Sequence, residues 1–179
     1  MIANGPTEAA FVLFTFTRVS EVPTATKPPV PLRELPPVLI TEFVSTFTID
    51  NPRPSIPAIA LTTDTSLLTA IANDFGPEGV FERQVEALGR EGDVLIAIST
   101  SGNSENVIRA AERASKAGLR VVALTGESGG KLAPLADAAV RVPSTITAHI
   151  QECHLAVEQL LASLVEDALY PRSHEASGR

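Results

Sequence analysis

The sequence predicts an α/β fold in three layers, a mostly parallel sheet flanked by helices. Three observations carry that prediction. Asp93-Val94-Leu95-Ile96-Ala97-Ile98 is a nearly unbroken apolar run, the pattern of a parallel strand covered on both faces. From Ile56 onward, short apolar runs alternate with segments of helical period, which is the signature of β-α-β units. Glycines close the helical segments at Gly89 and Gly118, where a left-handed cap is easiest to form.

The elements follow in order. Phe11 to Thr17 is compatible with a strand, or with an apolar arm that packs on a partner. Prolines at 23, 28, 29, 31, 36 and 37 argue against a long helix there, because proline lacks an N–H and clashes in helix interiors. Residues 1–37 therefore form an atypical proline-rich segment. Val38 to Thr48 suits a short helix or a strand equally. Ile56 to Leu61 reads as a buried strand, with Asp64 to Ser66 capping a helix over 66–73. A second helix is expected from Glu78 to Leu88, with Val80, Phe81, Val85 and Leu88 on one face. After the strand at 93–98 comes a helix over 105–117, then a strand at 119–125. A short helix over 131–136 and a more polar strand near the sheet edge at 139–143 follow. One long helix, Thr147 to Leu169, carries a broad apolar stripe of Ile150, Cys153, Val157, Leu160, Leu161, Leu164 and Leu169. Such width on one helix points to self-association. Residues 172–179 are a polar tail.

Composition narrows the function. A net charge of -7 is wrong for direct nucleic-acid binding. A single cysteine rules out an intramolecular disulfide and fits a reducing cytoplasm. No apolar run reaches the roughly 20 residues that span a bilayer, so no membrane partner is expected.

The chemistry centres on Ser99-Thr100-Ser101-Gly102-Asn103-Ser104, between a buried strand and a helix. Its hydroxyls can donate to phosphate oxygens, and the next helix adds first-turn amides and a favourable dipole. Lysine and arginine are absent from the loop. That suits a phosphomonoester held by neutral donors, not a nucleoside triphosphate, and the pattern is neither a P-loop nor a three-glycine dinucleotide loop. By composition alone, the same loop also serves as a plain helix cap.

Longer stretches resemble a known family. Ile56 to Asp64, Leu68 to Asp74, Gln84 to Gly89 and Gly92 to Ser104 are similar to the phosphoheptose isomerases, which are sugar-isomerase (SIS) domain proteins. Ala123-Leu124-Thr125-Gly126, Gly129-Gly130-Lys131-Leu132, Arg141-Val142-Pro143 and Ile150 to Leu155 continue the likeness, which covers about 38–171. The resemblance implies a flavodoxin-like SIS domain over 38–171 and a homotetramer. It further implies conversion of sedoheptulose 7-phosphate from ketose to aldose through an enediol, supplying a lipopolysaccharide precursor. Carried over by position, Ser99, Thr100, Ser101 and Ser104 hold phosphate, while Thr63 and Asp64 touch the sugar. Gln151 helps bind the sugar or a metal, and Glu42 matches the catalytic base that in many members also ligates zinc.

The chain departs from the family at telling places. Val38 and Gln159 stand where the family has histidines, and Pro36-Pro37 replaces its Asn-Gly-Gly-Ser loop. Glu42 and Gln151 alone make a poor zinc site, so no tightly bound zinc is expected. Residues 1–37 fit a divergent arm or an altered reading frame. Three functions remain in play: an active isomerase, a non-catalytic SIS-domain regulator that binds the bacterial replication initiator, and an inactive copy. His154 is read as a structural histidine in a helix contact, with catalysis the alternative; His149 is read as exposed and Cys153 as a buried, inert thiol. Asn73-Asp74 is read as a helix end that orders the site or joins it.

Overall fold

The computed structural model describes residues 10–15, as backbone, and residues 56–171. Val38, Glu42, the expected boundary at residue 37 and the tail at 172–179 lie outside the described residues. The described strands are β1 (Ala10–Thr15), β2 (Ala58–Ala60), β3 (Val94–Ser99), β4 (Arg120–Thr125) and β5 (Ala138–Arg141). The helices are α1 (Thr65–Phe75), α2 (Glu82–Leu88), α3 (Glu105–Lys116) and α4 (Thr147–Leu169), with short 3-10 turns at Pro77–Gly79 and Ala133–Leu135.

The sheet order is β2-β1-β3-β4-β5. β3, β4 and β5 run parallel, Ser99 opposite Thr125 and Thr125 opposite Arg141. β1 sits between β2 and β3 and is antiparallel to both, with Ala10 opposite Ser99 and Leu13 opposite Ala60. β2 therefore points the same way as β3. The strand-or-arm alternative for Phe11 to Thr17 resolves, over the described Ala10–Thr15, to a strand inside the sheet.

Strand periodicity builds the layers. Successive side chains alternate between faces, so Leu95, Ala97, Val121 and Ala123 pack with Ile71, Phe81, Val85, Val107 and Ala111 of the helical layer that holds α1, α2 and α3. Ile96, Ile98 and Leu124 face the other way, with Val157 of α4 against them. The lower half of α4 covers the start of β2 through Ala162, Val165 and Leu169 on Ile56 and Ala58. Fully buried Leu95, Val85 and Val107 each contribute about 1.5–3 kcal/mol relative to exposure.

Two expectations need correcting. The helix foreseen over 78–88 is broken, because Pro77 starts a separate 3-10 turn and α2 begins only at Glu82. Cys153 is exposed, not buried. It lies on the flank of the apolar stripe together with Leu160 and Leu164, which are 57% and 54% exposed. The packed strip of α4 is narrower than the apolar one.

Asp137 locks the entry to β5. One carboxylate oxygen accepts from the Val121 amide at 2.8 Å and the other from Arg120 at 2.6 Å. The Val121 amide, and then Arg120, hold its pKa below the ordinary 3.8. A depressed carboxylate pKa stabilises the fold above the unfolded value and loses that contribution as pH falls through the folded one. Asp137→Asn should therefore lower the melting temperature at neutral pH, and the gap to the unaltered chain should close below pH 3.8. Melts from pH 7 downward check this.

Candidate phosphate-binding site

Ser99 ends β3 on the face that carries Leu95 and Ala97, and so points toward the head of α3. Its hydroxyl lies 2.9 Å from that of Ser104, and the Gly102 amide donates to it at 3.1 Å. Both hydroxyls are buried. Ser104 occupies the cap position of α3, yet its side chain makes no cap hydrogen bond. In that first turn the Val107 amide donates to the Ser104 carbonyl at 3.0 Å and to Asn106 Oδ1 at 2.9 Å, and the Ile108 amide to the same carbonyl at 3.0 Å; the amino end of the helix still presents the positive end of its dipole to the loop. Ser101 Oγ accepts from the Asn103 amide at 3.1 Å, which leaves its own proton to donate outward. The four predicted phosphate ligands thus divide. Ser99 and Ser104 brace the turn, Thr100 is buried with its carbonyl accepting from the Gly126 amide at 2.9 Å, and Ser101, half-buried, presents a donor.

A second loop holds the first from behind. Gly102 has φ +67°, and a Cβ there would lie 2.2 Å from the Gly129 carbonyl oxygen. Gly130, at φ +52°, would collide with the Gly102 carbonyl oxygen at 2.5 Å. Only glycine allows this backbone-to-backbone approach. The Leu132 amide donates to the Gly102 carbonyl at 2.9 Å, and the Lys131 amide to Asn103 Oδ1 at 3.2 Å. Arg141 Nε donates to the Glu127 carbonyl at 2.9 Å, with Nη2 reaching the same oxygen.

α4 closes the third side. His154 is buried, and its Nε2 lies 3.1 Å from the Thr125 carbonyl oxygen. A carbonyl only accepts, so Nε2 carries the proton. Nδ1 is buried with no partner among the described residues. Burial pushes the pKa below the ordinary 6.5, against the opposing pull of the Thr125 carbonyl, and the ring is neutral at pH 7.

The remaining predicted ligands sit at the same edge of the sheet. Thr63 and Asp64 follow β2, two strand positions from β3, roughly 10 Å away at ordinary strand spacing. Both are exposed. The Thr63 hydroxyl donates to the Ala60 carbonyl at 2.9 Å, and Asp64 Oδ1 caps α1 by accepting from the Leu67 amide at 2.9 Å. Gln151, half-buried, stands on the same turn of α4 as Ile150 and His154. Asn73 Nδ2 donates to Asp74 Oδ1 at 2.8 Å on the exposed end of α1. Gln84 belongs in the account as well. Its buried amide donates to the carbonyls of Leu61 and Val80 at 3.0 and 2.9 Å, fixing the strand end from which Thr63 and Asp64 project. A lone amide on an otherwise apolar face, three residues after Phe81, is the signal that marks it.

A family model described as "SIS domain" matches residues 40–126. The phosphoheptose isomerase of Akkermansia muciniphila is 48% identical over 132 residues, covering 74% of this chain and 69% of that protein. The chain belongs to the phosphoheptose isomerase family of SIS-domain proteins. Another phosphoheptose isomerase, from Aneurinibacillus thermoaerophilus, is 52% identical over 129 residues, 72% of this chain. The chain spans 64% of that relative's length. A solved phosphoheptose isomerase from Francisella tularensis superimposes with a TM-score of 0.63 at 41% identity, covering 73% of this chain and 66% of that one. The three-layer fold is that of the phosphoheptose isomerases.

The family's zinc does not fit the residues here. By the family likeness, Val38 and Gln159 stand where two imidazoles are expected, and neither an alkyl group nor an amide is a good zinc ligand. The buried His154 holds its proton on Nε2 against the Thr125 carbonyl.

Gly102→Ala should be severe. The positive φ alone costs about 1–3 kcal/mol, and the new methyl must displace the Gly129 carbonyl. Calorimetry should show a lower melting temperature, and phosphate binding should be at least tenfold weaker.

Proposed function

We propose that this chain binds sedoheptulose 7-phosphate and interconverts it with the matching aldose by moving a proton between adjacent carbons. The observation that carries this reading is the braced Ser99–Ser104 loop at the head of α3, in a chain of phosphoheptose isomerase descent. The loop supplies neutral donors and helix-end amides, enough to hold a phosphomonoester without a cation. Ser101, Thr100 and the first turn of α3 grip the phosphate. Thr63, Asp64 and Gln151, along the same sheet edge, receive the sugar.

Glu42 is the base in this proposal. It takes a proton from C1 of the ketose while the C2 oxygen gains one, giving the enediol. The O1 proton then leaves as a proton returns to C2, and the aldehyde forms. With Val38 and Gln159 in place of imidazoles, Glu42 does the carbon chemistry. The mechanism uses no metal. A cytoplasmic location suits the single exposed Cys153; no described helix is long and apolar enough to cross a membrane.

Sedoheptulose 7-phosphate turnover is the test. Loss of a positioned general base should lower kcat by roughly 10²–10⁴ in Glu42→Gln, while Ser101→Ala should mainly raise KM. Binding of the sugar phosphate with no product at high protein concentration would overturn the isomerase reading and leave a binding protein.

Self-association belongs to the same proposal. Leu155, Leu160 and Leu164 are 59%, 57% and 54% exposed on α4, too much apolar surface for a helix facing only water. A second copy of the chain is the occupant we propose, since copies can pair like faces. Light scattering after size exclusion should give a multiple of 18.9 kDa, and Leu160→Glu with Leu164→Glu should shift it to the single-chain mass.

A further inference from the structure

We propose that His154 is a positioning residue for the phosphate loop, acting through the single peptide unit between Thr125 and Gly126. The inference rests on the reading of Ser99–Ser104 as a phosphate site.

The two ends of that peptide unit face different elements. Its carbonyl, on Thr125, accepts from His154 Nε2 of α4 at 3.1 Å. Its amide, on Gly126, donates to the Thr100 carbonyl at 2.9 Å, inside the phosphate loop. The unit is planar, so a hydrogen bond on one edge sets the direction of the other. In a buried site the two bonds also polarise one another. His154 on α4 is thereby two hydrogen bonds from the backbone between Ser99 and Ser101.

Packing points the same way. A Cβ at Gly126 would lie 2.6 Å from the Thr100 oxygen and 2.7 Å from Ile150 Cδ1. Loop and helix therefore close on Gly126 from two sides, and the peptide cannot tilt without moving both. A histidine that served only to fill space would be better replaced by leucine, because its Nδ1 stays buried with no partner among the described residues, a real cost. What the imidazole supplies and leucine cannot is the N–H at the ε position.

Titration calorimetry with inorganic phosphate and with sedoheptulose 7-phosphate tests this on the full chain. His154→Leu removes the donor; His154→Gln keeps an amide N–H at similar reach. The expected result is binding about tenfold weaker in His154→Leu, the scale of one buried hydrogen bond, and recovery to within about threefold in His154→Gln. Where turnover is measurable, the change should fall on KM and not on kcat. Undiminished binding by folded His154→Leu overturns the proposal, even with a lower melting temperature. Should that variant not fold, the unaltered chain still decides: saturating phosphate must shift the Gly126 amide resonance, and an unmoved resonance overturns the proposal. Failure of the unaltered chain to bind either ligand overturns the phosphate reading itself, and this inference with it.

Discussion

The contact on which the site depends is made by backbone alone. Gly102 and the Gly129–Gly130 pair meet at a distance that excludes any Cβ. The hydroxyls of Ser99 and Ser104 hold the phosphate turn from inside, and the second loop fixes it from outside through Leu132, Lys131 and Asn103. Each loop leaves the carboxyl end of its own strand, and β3 and β4 are adjacent and parallel. The sheet thus delivers two turns side by side, and glycine lets them touch. A preformed cradle spares a ligand the entropy of ordering it.

Charge is handled with the same economy. The loop has no cation; in the proposed function its hydroxyls and the dipole of the following helix neutralise the phosphate. The ring of His154 is neutral and spends its proton on a carbonyl. Arg141 spends two of its N–H groups on the Glu127 carbonyl, steadying the outer loop. Neutral donors near the phosphate and a chain of net charge -7 favour recognition by shape and hydrogen bonding over long-range attraction.

Much of this was legible in the sequence, for identifiable reasons. β3, α3, β4 and α4 announce themselves by period and by glycine stops, and Asp64 is a cap both in pattern and in geometry. The Ser/Thr loop between Ile98 and Glu105 was legible for its chemistry. Its internal division of labour was not, since nothing in the order of residues says that the Ser104 hydroxyl turns to Ser99 and leaves the helix uncapped. The grip of the outer loop was hidden because carbonyls and amides leave no side-chain signature; three glycines are its only trace. Cys153 misled because an apolar stripe shows what can be buried, not what has something to pack against. Glu42 and Val38 lie outside the described residues, and their part in the site still comes from family likeness.

The position of β1 has a consequence for assembly of the sheet. In sequence, 42 residues separate it from β2 and 78 from β3, yet it lies between them. The β3–β4–β5 side is wired by short crossovers, whereas the join to β2 runs through a strand recruited from afar. Closing a long loop adds only slowly to the entropy cost, so this distance weighs little on final stability. It weighs on time: non-local pairings slow the search for the native state, and until β1 arrives the edges of β2 and β3 stand open, the condition under which strands find wrong partners.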